Sequence, residues 1–264
     1  MCILVVYFHN CIKVFHYKVF QMFALIDKDP LTVGTIFGKT AQFILKNILW
    51  IMPFGIFLSL INSPIDYLTL LFGPMDNHTL ITYKIGFILI GIPISSLLYG
   101  LVTIVLSEQL CGIKFSWYQG FKKILKLWGP LTLLYLTICI ACFFGAILLI
   151  IPGIIVLCAT VCAIPALMLE DLRLWKAIDR SRELTKGHRL RIFGYVILCG
   201  LICFVAAFIS FSFPLITTAS PLLMVGFNVL FMAPFYAMIP AVQTLLFFDL
   251  RHREEVEKMD VVPV

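Results

Sequence analysis

Charge is what this chain has least of. Asp, Glu, Lys and Arg make up 13% of its 264 residues, about half the roughly 25% of an ordinary soluble domain. The hydrophobic share is 61% and the mean hydropathy +1.04. A water-soluble fold of this length cannot hide so much apolar surface, whereas a bilayer can. Other absences narrow the function. The centres of the apolar blocks hold no acidic or basic residue, which argues against a proton-driven pump: a charge at the bilayer centre costs at least ~2.5–3.5 kcal/mol and persists only for function. No Ser/His/Asp set, phosphate-binding glycine loop or mixed His/Cys/carboxylate cluster occurs, so neither an enzyme nor a cofactor is expected. There is also no soluble basic domain, so the net charge of +6 is not a nucleic-acid footprint.

What charge there is falls in a pattern. Of the 20 Lys and Arg, only Lys84 lies outside four clusters. Lys13, Lys18, Lys28, Lys39 and Lys46 precede the first apolar block, and Lys114, Lys122, Lys123 and Lys126 separate the second from the third. Arg173, Lys176, Arg180, Arg182, Lys186, Arg189 and Arg191 separate the fourth from the fifth, and Arg251, Arg253 and Lys258 follow the sixth. Basic residues are retained on the cytoplasmic side during insertion. Six spans with both termini inside are therefore expected, in a multi-pass protein of the cell (inner) membrane. A span needs about 20 apolar residues to cross roughly 30 Å of hydrocarbon. The candidates are Phe43–Asn62, Ile85–Ser107, Leu131–Ile151, Ile154–Glu170, Ile192–Phe213 and Leu222–Phe248. All four tryptophans, Trp50, Trp117, Trp128 and Trp175, fall at the basic interface, as an aromatic belt would place them.

Helical periodicity also marks three amphipathic segments at that interface. Thr32–Lys46 places Val33, Ile36, Thr40, Phe43 and Ile44 opposite Lys39, Gln42 and Lys46. Ser116 caps a second, with Trp117, Phe121, Ile124 and Trp128 on one face. Leu174–Lys186 turns Leu174, Ala177, Ile178 and Ser181 inward and Lys176, Asp179, Arg180 and Glu183 outward, with Gly187 as its stop. Each feeds a hairpin of two spans, and each even-numbered span ends in a carboxylate: Glu108, Glu170 and Asp249. That makes a weak three-fold repeat. The expected architecture is an all-α bundle: residues 31–250 form the six-span domain with its interfacial helices, and 251–264 a cytoplasmic tail. Residues 1–30 form an N-terminal extension. Its Phe8, Ile12, Phe15, Val19, Phe23 and Ile26 suit a helix lying in the membrane surface, and a loose extension suits them equally. No cleavable signal peptide is expected at Met1–Phe8, which lacks a basic start and a small-residue cleavage site.

On the far side, Pro152-Gly153 is expected to turn span three into span four, and Asn62–Ile81 forms the longest loop. Asn77-His78-Thr79 fits a glycosylation sequon, a tripeptide common by chance. Cys139 with Cys142, Cys158 with Cys162, and Cys199 with Cys203 lie in pairs on helix faces near mid-membrane. Thiolates suit a soft cation such as Cu(I). No His or carboxylate shares that depth, however, and cysteine also packs as a small apolar residue, so no metal is expected. Ser95, Ser96, Tyr99 and Thr103 in span two and Asn228, Tyr236 and Gln243 in span six are read as hydrogen-bonding groups between helices. Pro53, Pro93, Pro165, Pro234 and Pro240 are expected to kink their spans.

The run from Ile151 to Leu198, through its Ile-Pro-Gly turn, Pro165–Glu170 and the Ala177…Arg180-Ser181…Leu184-Thr185…Gly187 helix, carries a family likeness. So does the tail Phe247-Phe248-Asp249-Leu250-Arg251-His252-Arg253-Glu254. Both resemble the membrane domain associated with some bacterial glycerophosphodiester phosphodiesterases and related stand-alone six-helix proteins. Glu255 stands where that pattern usually has Gly. The resemblance spans about residues 32–260. It implies a membrane domain without catalytic residues, because the phosphodiesterase activity belongs to a separate soluble domain. The leading expectation is a non-catalytic membrane protein that organises lipid or envelope components; the alternative is a permease or carrier for a small amphipathic molecule. Arg180, Arg182, Lys186 and Arg189 are the candidate contacts to anionic phospholipid headgroups. Against them stands the simpler reading that Glu170 or Asp171 pairs with a neighbouring Arg. Further partners are a protein or a second copy of the chain, and no nucleic acid.

Overall fold

The computed structural model describes residues 32–62, 76–112, 117–148, 150–216 and 221–260. The N-terminal extension and Ser116 lie outside them, as does most of the loop after Asn62. The described residues form helices and no strand: α1 (Val33–Lys46), α2 (Ile48–Asn62), α3 (Asn77–Leu110), α4 (Trp117–Leu148), α5 (Ile150–Thr160), α6 (Ala163–Leu169), α7 (Leu174–Thr185), α8 (Arg189–Ile216) and α9 (Pro221–Asp260). Five stretches are long and apolar enough to cross a membrane: Leu89–Leu110, Trp117–Gly145, Pro152–Leu169, Arg189–Ser210 and Gly226–Glu257. The α1–α2 pair makes a sixth if it is counted as one span. The chain is an all-α polytopic membrane protein.

Several boundaries differ from the sequence reading. The first span does not run unbroken from Phe43. The chain turns by 81° between α1 and α2, at Asn47, whose N–H still reaches back to the Phe43 and Ile44 carbonyls. Thr32 caps α1 by accepting a bond from the Thr35 N–H. The expected surface helix at Trp117 and the third span are one continuous helix, because Pro130 removes a single backbone bond without ending α4. Pro152 does not form the turn between spans three and four. It sits in the first turn of α5, where a missing N–H costs nothing. Likewise α3 starts at Asn77, taking in the sequon and shortening the far loop, and α9 carries on past Phe248 into the expected tail.

Span four is divided. Thr160 ends α5 and Ala163 begins α6, with a turn at Val161-Cys162. Pro165 explains the position: it cannot donate to the carbonyl four residues back, at Val161, and its ring crowds that carbonyl. α3, α4, α5, α8 and α9 pack in a ring, each against the next, and α6 packs against α3, α4 and α9. α6 is buried from Ala163 to Met168, so it fills the ring at its basic end. α2 lies outside the ring against α9 and α3. Gly55 makes that contact close: a Cβ there would run into the Ala233 carbonyl.

The hydroxyls read as interhelical groups play that part in two places. Ser96 bonds Thr132 at 2.9 Å, tying α3 to α4. Thr244 donates to the Thr103 hydroxyl at 3.3 Å, tying α9 to α3.

Candidate functional site at the basic end

The α7 helix forms as its periodicity predicts. Ala177, Ile178, Ser181, Leu184 and Thr185 are buried, while Lys176, Asp179 and Glu183 face outward. Lys186 ends it, and Gly187 takes φ +88°, a left-handed conformation that a side chain would disfavour.

Arg180 departs from the expected outward face. Its Nε donates to Glu170 Oε2 at 3.2 Å, and its two terminal nitrogens grip both oxygens of Glu254, at 3.0 and 2.6 Å. The fork thus joins the end of α6 to α9 through α7. A guanidinium suits this role because its donors match a carboxylate two at a time. The hydrogen bond to Glu254 raises the Arg180 pKa; burial opposes this rise and attraction to Glu170 adds to it.

Ser181, the next residue, reaches into the break in span four. Its hydroxyl donates to the Ala159 carbonyl at 2.8 Å and accepts from the Cys162 N–H at 3.2 Å. Unpaired backbone groups at such depth cost free energy, and Ser181 satisfies two of them. α7 therefore holds the broken span by its backbone and, one residue earlier, by its terminal carboxylate.

A second ionic centre lies beside the first. Asp249, buried on α9, accepts from Arg253 Nε at 3.1 Å and pairs with Arg191 at 3.2 Å. Arg191 also donates to the Tyr195 hydroxyl at 3.3 Å and stands over its ring. Lys123 approaches Asp171 at 3.9 Å. Asp171 has φ +51°, uncommon for a residue with a side chain. At the α1–α2 elbow, Asn47 and Gln109 exchange amide bonds of 3.2 and 2.7 Å, and Trp50 donates to Asn47 at 3.1 Å.

Of the four candidate headgroup residues, Arg180 is therefore engaged by carboxylates. The other three remain on the surface. Among the described residues Arg182 meets Asp179, at 4.0 Å with both side chains well exposed. Lys186 and Arg189 are exposed on either side of the Gly187-His188 turn. Trp175, 71% exposed, sits on the same helix. Of the two carboxylates expected beside an arginine, Glu170 takes that place and Asp171 approaches Lys123 instead, while Glu254 is a partner that the sequence does not announce. The Arg180–Glu254 contact spans 74 residues, and no local spacing signals it. Among the described residues no group of three His, Cys, Asp or Glu could hold a metal ion.

A helical membrane bundle with an ion-paired, tightly packed basic end is the class that fold and site define. Compared with known protein families, curated proteins and solved structures, the chain matches none.

Proposed function

We propose that this is a non-catalytic protein of the cell (inner) membrane, with both termini cytoplasmic, that organises lipid or envelope components by engaging anionic phospholipid at its basic end. The observation that carries this reading is a division of labour among the cations. Arg180 and Arg191 are consumed by carboxylates that hold the helices together, while Arg182, Lys186 and Arg189 project from the same end. Each such residue near an anionic leaflet is worth about 1 kcal/mol, against little for the exposed Arg182–Asp179 contact. Exposed Trp117, Trp128 and Trp175 suit the headgroup layer. The resemblance to phosphodiesterase-associated membrane domains supports the reading, because the two stretches that carry it meet through Arg180 and Glu254.

The test is the lipid that stays with the protein through gentle purification. Changing Arg182, Lys186 and Arg189 together to Gln should lower co-purified anionic phospholipid several-fold at unchanged thermal stability. Unchanged lipid content would overturn the assignment. Orientation is checked separately: reporter enzymes fused after Gly112 and after Gly187 should both remain intracellular.

A further inference from the structure

Two residues with left-handed backbone bracket α7. Asp171, at φ +51°, lies in the turn that enters it, and Gly187, at φ +88°, in the turn that leaves it. Between them the helix presents two faces. Inward lie Ala177, Ile178, Ser181, Leu184 and Thr185, none more than 6% exposed. Outward lie Trp175, Lys176, Asp179 and Arg182, with Lys186 and Arg189 exposed at the exit turn.

The inward face does more than pack. Span four breaks at Val161-Cys162, and two backbone groups freed there find their partner on α7. The Ser181 hydroxyl accepts from the Cys162 N–H at 3.2 Å and donates to the Ala159 carbonyl at 2.8 Å. Cys162 has no exposed surface, and along α6 it lies about 12 Å deeper than Glu170, at 1.5 Å per residue. One residue before Ser181, Arg180 ties Glu170 at the end of α6 to Glu254 of α9. When α7 lifts, a buried N–H and a buried carbonyl lose their partner where neither water nor headgroup can replace it. Both carboxylates lose their arginine in the same movement. Lifting α7 and opening the break are thus one event.

We infer that α7 is a strap through which anionic headgroups control the break in span four. Lipid bound to its outward cations holds the helix down, and loss of that lipid lets the break open. The inference rests on the headgroup reading proposed above and adds its consequence for the interior of the bundle. The reason is linkage. Arg182, Lys186 and Arg189 are held as a set on the leaflet side only while α7 is helical and seated. A leaflet that attracts the set therefore stabilises the seated state, by the same factor by which seating improves lipid binding. Asp171 and Gly187 are the hinges, being the positions beside the helix ends where the backbone already turns sharply.

The test is amide hydrogen exchange, which reports local opening, measured by mass spectrometry on the full chain in nanodiscs. One set of discs is neutral phosphatidylcholine and the other contains anionic phosphatidylglycerol. The segment holding Cys162 should exchange about tenfold more slowly in the anionic discs, well within what three cations drawn to that leaflet can supply. The buried stretch of α3 from Gly100 to Ser107 should exchange at one rate in both. In the Arg182→Gln/Lys186→Gln/Arg189→Gln variant the Cys162 segment should keep its neutral-disc rate in either lipid. Equal wild-type rates in the two discs, with the triple variant still losing co-purified lipid, would overturn the strap and leave the headgroup reading standing. Equal slowing of both segments would also overturn it, since the lipid would then tighten the whole bundle. Lipid retention and exchange both indifferent to the triple substitution would overturn both readings.

Discussion

The two halves of the same helices differ sharply. Toward the basic end, α3 is buried continuously from Gly100 to Ser107, span four from Cys158 to Met168, and α9 from Thr244 to Arg251. Toward the far end Ile85, Leu89 and Ile90 of α3, Ile155 of α5 and Leu223 and Leu230 of α9 are exposed. Every ion pair among the described residues lies in the basic half. In lipid the hydrophobic effect does not draw one apolar helix to another, so association rests on close packing and polar contacts. Where those contacts exist the bundle is solid. Where they thin out, apolar side chains are left uncovered.

Damage at the basic end must therefore cost far more than equivalent damage at the far end. The largest effect is expected at Arg180. Removing one partner of a buried ion pair leaves a charge uncompensated and costs about 3–5 kcal/mol. Here Arg180 retains 21% exposure, so Arg180→Leu is placed lower, at about 2–3 kcal/mol. The measurement is the unfolding midpoint in mild detergent, with Leu230→Ala at the far end as the near-neutral comparison. Exchange of partners, Arg180→Glu with Glu254→Arg, should recover part of the loss. The pH dependence has a fixed sign. Because the Arg180 pKa is raised, its contribution is fully present below the ordinary arginine value and persists through any workable alkaline pH. The clamp is therefore insensitive to alkaline pH, and the unfolding midpoint should not fall between neutral and alkaline pH on its account.

Ser181→Ala comes next. It deprives the Ala159 carbonyl and the Cys162 N–H of their partner inside the protein, at about 1–2 kcal/mol. Ser210 on α8, also buried but bonded to no described residue, offers the contrast: Ser210→Ala should be neutral or slightly stabilising. Equal losses at the two serines would erase the distinction between the halves.

These particulars show where sequence reasoning reached and where it stopped. The buried face of α7 and its stop at Gly187 were legible because a 3.6-residue period and a glycine are local signals. So was the all-α, multi-pass class, which follows from long apolar runs punctuated by charge. The division of span four had a signal in Pro165, but proline also lies within the unbroken helices α2, α3, α4 and α9, so proline alone does not decide. What decides is a hydroxyl on another helix able to satisfy the freed groups. The α1–α2 elbow was illegible for a similar reason. Asn47 interrupts an apolar run without a glycine or proline, and its reason is Gln109, which lies 62 positions away. The clamp has the same character: Arg180 stands out in the chain, but its grip on Glu254 is a property of the packed bundle.

The elbow supplies a smaller test. Asn47→Leu removes the exchange with Gln109 and the acceptor for Trp50, leaving the half-buried Gln109 amide without that partner. Interhelical hydrogen bonds in membranes average about 0.6 kcal/mol, so a loss of about 1 kcal/mol is expected, and Gln109→Leu added to it should cost little more. Two full, additive losses would mean that the residues act separately and do not latch the elbow.

The smallest effect concerns Cys111, which follows α3 at the basic end. Burial, aided by the nearby Glu108 carboxylate, pushes its thiol up to about 11. Only the thiolate reacts readily with maleimide, so labelling at neutral pH should run well below that of a free thiol of ordinary pKa near 8.5. The rate should climb as pH rises toward 11, provided the fold persists. In Arg180→Leu, loosening of this end should expose Cys111 and accelerate its labelling at neutral pH, while Leu230→Ala should leave the rate unchanged. A Cys111 that reacts at the free-thiol rate in the intact protein would show that the basic end is not closed at its margin, and that the contrast between the halves is confined to the ring's interior.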